Sequence, residues 1–103
     1  MADKFQTQRT APTAGSGATK QLVAASAGNE IRLWQVVIAA TTTDPLIFQD
    51  GSGGTTLLAA QVPANGTLVL PFTEAPWLIT TIGNGLFFNG LATTTVTAYY
   101  TIP

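Results

Sequence analysis

Apolar residues in this chain recur in short runs with a period of two. Glycine, proline, asparagine or aspartate breaks the runs every few residues. No period of three to four survives between the breaks, so the pattern predicts strands and turns rather than helices. The clearest alternation is Thr93–Ile102, with Val96, Ala98, Tyr100 and Ile102 on one face and Thr95, Thr97, Tyr99 and Thr101 on the other. The longest candidate strand is Glu30–Ala39. It carries Ile31, Leu33 and Val37 on one face and Trp34, Val36 and Ile38 on the other. Apolar side chains on both faces predict a strand covered on both sides, the second cover being another subunit or the N-terminal segment. Ile31, Leu33, Trp34, Val36 and Ile38 are therefore the candidate subunit interface.

Six further strands follow from the same reading: Thr19–Ala25, Pro45–Gln49, Thr55–Val62, Thr67–Pro71, Trp77–Thr81 and Leu86–Asn89. Turns are expected at Gly28-Asn29, at Asp50-Gly51-Ser52-Gly53-Gly54 and at Pro63-Ala64-Asn65-Gly66, where the residues tolerate positive φ. Eight strands at roughly 8–12-residue spacing predict an all-β sandwich or barrel. The stretch Gly66–Leu91 holds Phe72, Trp77, Phe87 and Phe88, and these four are expected to bring most of the aromatic mass together. The domain is taken as residues 19–103.

Residues 1–18 read as a flexible arm. They are rich in Gln, Thr, Gly and Ala, and Phe5 is their one large apolar side chain. Such a segment buries too little to order itself, so it is mobile or ordered by a partner. Phe5 would be its anchor, with Lys4 and Arg9 meeting acidic groups.

Charge changes the picture. Only 9% of the residues are charged, against ~25% in an ordinary soluble domain. A surface this poor in charge suits a subunit that hides itself against partners, because interface cores are depleted of charge; the alternative is a thermostable or secreted β-domain that uses Thr for solubility. The bases are too sparse for a nucleic-acid patch. The longest uninterrupted apolar run, Val36–Ala40, is far short of the ~20 residues of a membrane-spanning helix. Met1–Gln6 has no apolar core of a signal peptide, so the chain is expected to fold in a cytoplasm.

Candidate chemistry is thin. The chain has no cysteine and no histidine, so no thiolate metal site, disulfide or histidine base is expected. Asp44 and Asp50 flank one short strand at loop positions, where capping turns is the ordinary role of aspartate. Gly15-Ser16-Gly17-Ala18-Thr19-Lys20 lacks the spacing of a phosphate loop. Trp34 and Trp77 fit a small β core better than a sugar platform. No catalytic residue, metal or cofactor is assigned.

The order of motifs resembles a known family. VVIAATTTDPLIFQDGSGG is followed by VPANGTLVLPF, then Trp77, then TTIGNGLFFNGL, then a Thr-rich strand ending in Tyr99-Tyr100. This resembles the small jelly-roll proteins that decorate or cement the capsids of tailed bacteriophages. The resemblance covers about residues 20–102 and is carried by Leu70-Pro71-Phe72, Trp77, Thr81, Gly83, Gly85-Leu86 and Tyr100. It implies an eight-stranded jelly-roll-like β-sandwich, a homotrimer, and binding to the major capsid protein on the virion exterior after synthesis in the bacterial cytoplasm. It implies no enzyme activity. Related modules occur in phage fibres and baseplates, so a receptor- or glycan-binding module, with Trp77 or Tyr99 in a loop-end pocket, is the alternative.

Overall fold

Each of the eight apolar runs becomes a strand, and two short strands precede them. The computed structural model describes residues 7–103. Its strands are β1 (Gln8–Arg9), β2 (Thr13–Ala14), β3 (Thr19–Val23), β4 (Arg32–Ala40), β5 (Asp44–Asp50), β6 (Thr56–Val62), β7 (Gly66–Leu70), β8 (Leu78–Ile79), β9 (Leu86–Asn89) and β10 (Thr94–Thr101). They form two antiparallel sheets packed on each other. The large sheet runs β1-β10-β4-β7, with β2 following β1 along the same edge of β10 and β8 beside β4 next to β7. The small sheet runs β3-β9-β5-β6.

The core lies between the sheets. Leu33, Val36, Ile38, Val96 and Ala98 come from the large sheet, and Leu46, Phe48, Leu86 and Phe88 from the small one. Fully burying a side chain of the Val, Leu, Ile or Phe kind stabilises by ~1.5–3 kcal/mol. Ile31, Val62 and Leu78 belong to the same core. The hairpin between β5 and β6 forms at the expected turn, where Gly51 and Gly53 have φ of 79° and 68°. Gly54 is needed there for a different reason: a Cβ would sit 1.9 Å from the Asp50 carbonyl oxygen.

Three expectations are corrected. The first concerns β4. Gln35 pairs with Tyr99 but Leu33 with Tyr100, so Trp34 is an extra residue in the ladder. Such a bulge shifts the alternation by one. Ile31 and Leu33 before it, and Val36 and Ile38 after it, therefore all face the same core, each with no exposed surface. Those four cannot form a subunit interface, because a residue with no accessible surface in one chain has none to offer another.

The second correction concerns residues 7–18, the described part of the segment 1–18 that the sequence placed outside the sandwich; residues 1–6 lie outside the described residues. Gln8 and Arg9 pair with Tyr100 and Tyr99, and Thr13 and Ala14 with Val96 and Thr95. Pro12, which has no N–H, lies in the gap between the two strands. The segment is held through backbone groups: the Thr10 amide donates to Ala98 O at 2.9 Å, the Gly15 amide to Thr94 O at 2.9 Å and the Gly17 amide to Gly90 O at 2.8 Å. Lys20 Nζ adds a bond to Ala14 O at 2.7 Å. Gly15 is required by close approach, since a Cβ would lie 2.4 Å from Leu91 O.

The third concerns the aromatics of Gly66–Leu91, which do not form one cluster. Phe88 is in the core, Phe87 is half-buried between core-facing Leu86 and Phe88, and Trp77 packs at the core's margin. Phe72 is exposed, and its ring lies 6.3 Å from that of Tyr99.

Candidate interaction surfaces

The two strand-flanking aspartates are structural clamps. Asp44, 2% exposed, opens β5. Its Oδ2 accepts from the Leu91 amide at 3.0 Å and the Thr94 hydroxyl at 2.6 Å, holding the turn between β9 and β10. Asp50 closes β5. It accepts from the Thr81 amide at 2.9 Å, from the Thr81 hydroxyl and from the Asn84 side-chain amide at 3.1 Å, holding the loop between β8 and β9. Burial pushes the Asp50 carboxyl up, but the bonds from Thr81 and Asn84 outweigh it and hold the group below the ordinary carboxylate range. A seven-residue strand separates the two acids by roughly 20 Å, beyond the spacing at which paired carboxylates work on one bond. Among the described residues no cluster of three or more His, Cys, Asp or Glu side chains comes together.

The remaining charges are mostly consumed as well. Arg32 Nε donates to Glu30 at 2.8 Å. Every buried side-chain polar atom among the described residues has a hydrogen-bond partner.

Both tryptophans have spent their N–H groups. Trp34, 7% exposed, turns to the face of the large sheet opposite the core, where its indole donates to Thr101 Oγ1 at 2.9 Å. Trp77 donates to Pro71 O at 2.8 Å. Trp34, alone of the candidate interface residues, stays on the outer face, but it is already buried within the chain. Of the candidate arm contacts, Lys4 and Phe5 lie outside the described residues. Arg9 is exposed on β1, directly opposite Tyr99.

The surface that the sequence did not single out is the outer face of the large sheet. By register it carries Val37, Thr97 and Val69 across its middle, Tyr99 and Gln35 beside them, and Ile79 next to Arg32. Val69, Phe72 and Ile79 are 41–46% exposed. Arg9, Pro12, Val37, Thr97 and Tyr99 line a shallow groove of about 340 Å³ on this face. The signal was present in part: Val69 shares its phase with Thr67, opposite Leu68 and Leu70. Without the bulge at Trp34, however, the inner and outer phases of β4 are read the wrong way round at one end.

No family model, curated protein or solved structure matches the chain. What it does must be argued from its own surfaces, which are apolar in patches, with Asp44 and Asp50 committed to holding loops.

Proposed function

We propose that this chain is a structural protein of a phage virion, a homotrimeric decoration protein that binds the outer capsid surface and stabilises the head, and that it is not an enzyme. The observation that carries the reading is the outer face of the large sheet, where three large apolar side chains stand exposed. Apolar patches of this kind, outside a folded core, mark protein contacts. The architecture is read as a jelly roll. Taking β1 with β2, and β7 with β8, as interrupted single strands leaves two four-stranded sheets. Their orders, β1/β2-β10-β4-β7/β8 and β3-β9-β5-β6, suit two interleaved Greek keys. A jelly roll with few charges gives a compact brace. Bridging neighbouring capsid subunits, it adds interface that must break before the shell bursts.

Co-sedimentation tests this directly. Purified protein mixed with expanded empty capsids should pellet with them, saturably, and should leave host cells unlabelled. Labelling of cells without binding to capsids would overturn the proposal in favour of a receptor- or glycan-binding module. No observation favours that module now: Tyr99 lies on a sheet face and not in a loop-end pocket, and the Trp77 N–H is already bonded.

A further inference from the structure

Among the described residues two charged side chains, Arg9 and Glu74, have no partner in the chain. Lys20 is bonded to a carbonyl, Arg32 and Glu30 to each other, and Asp44 and Asp50 to loop donors. The two left over have opposite sign. They also flank one surface. Arg9 stands opposite Tyr99 in the ladder. Glu74, exposed, follows Phe72 by two residues, and Phe72 rests against Tyr99. Between and beside them lie Val37 and Val69.

We propose that the outer face of the large sheet is a contact surface for a second copy of this chain, in which Arg9 of one copy pairs with Glu74 of the next. The inference rests on the reading of the protein as a homo-oligomer and assigns that assembly its surface. A patch that carries one free charge of each sign at its margin and apolar side chains at its centre is complementary to itself. Closed symmetry then repeats the same pair at every interface. The two longer dimensions of the molecule, 36 and 26 Å, bound a face large enough for the ~800 Å² per partner of a standard interface. The apolar centre supplies the driving force, and the charged margin sets orientation and speed of encounter. A nucleic acid fits poorly: among the described residues Arg9 is the only cation on this face free of a carboxylate, and a phosphate backbone asks for several.

The test uses sedimentation velocity on the full chain at low salt. The wild type should self-associate, and added salt should weaken the association. Arg9→Glu and Glu74→Arg, each alone, should weaken it by about tenfold or more, and the double exchange should restore it to within about threefold of wild type. Both sites are exposed, and unchanged circular dichroism and melting confirm an intact fold. Single variants that associate like the wild type would overturn the inference while leaving the homo-oligomer standing. A double exchange that fails to restore association would overturn the pairing. A wild type that stays monomeric would overturn the inference together with the homo-oligomer. Capsid co-sedimentation is read separately: single variants that keep self-association but lose capsid binding would move this face to the capsid and overturn it as a copy–copy contact.

Discussion

The two faces of the large sheet are both apolar, and they differ in what the apolarity is for. On the inner face Val36, Ile38, Val96 and Ala98 are sealed against the small sheet with no exposed surface. On the outer face Val69 and Ile79 stand nearly half exposed, with Gln35 and Thr97 on the same face. Neighbours in sequence thus face different demands: Ile38 is held by the fold, and Val37 is available to a partner. The difference teaches that a hydrophobic strand has two separable roles. Substitution at each face should damage a different property.

The largest expected effect is on the inner face. Ile38→Ala should cost about 2–5 kcal/mol through lost transfer energy and the cavity left behind. Val37→Thr, one residue away, should change stability by no more than about 0.5 kcal/mol. Urea denaturation measures both, and equal losses would break the contrast between the faces. Next comes the clamp at the start of β5. Asp44→Ala strands the Leu91 amide and the Thr94 hydroxyl in a buried site, at a cost of about 1–3 kcal/mol for each unsatisfied donor. Urea denaturation that shows no loss would mean that water replaces the carboxylate.

A smaller effect lies in the pH dependence. The Asp50 carboxyl is depressed in the folded chain, so its contribution is fully present above the unfolded value of ~3.9. That contribution is lost as pH falls through the lower folded value. Thermal melts between pH 5 and pH 2.5 should show Asp50→Asn flatter than the wild type, the two curves converging at the acid end. Parallel curves would remove Asp50 from the account. The smallest effect is local. Gly15→Ala pushes the segment off the Leu91 carbonyl, so hydrogen exchange should quicken at residues 8–14 and stay slow in β4 and β5. Unchanged exchange at 8–14 would show that the edge absorbs a Cβ.

Much of the fold was legible because it rests on local rules. Each apolar run between turn residues became a strand, and Asp50-Gly51 made its hairpin. What escaped has a common physical cause: it depends on backbone groups or on one residue of register. β1 and β2 are tied by carbonyls and amides that every residue type carries, so composition could not reveal them. The bulge at Trp34 reverses the alternation along β4 and moved four core residues into an expected interface. The sorting of the aromatics, Phe88 inward and Phe72 outward, depends on pairing partners far along the chain. The aspartates do hold turns, as their loop positions imply, but those turns are 31 to 50 residues away. Arg9, expected to meet acidic groups, is exposed on β1 opposite Tyr99. That Glu74 is the other charge left without a partner could be seen only once the remaining charges had found theirs.

The pairing of Gln8 with Tyr100 also sets an order of events. A ribosome delivers β1 and β2 long before β10, the strand that receives them. Closing so long a loop costs entropy that only a prebuilt edge can offset. The segment's partner strand lies 92 residues further along the chain, so its backbone stays unmatched until β10 has been made. Contacts of such long range slow the search for the native state. The same seam, two short strands on a sheet edge, is where local opening is expected to begin.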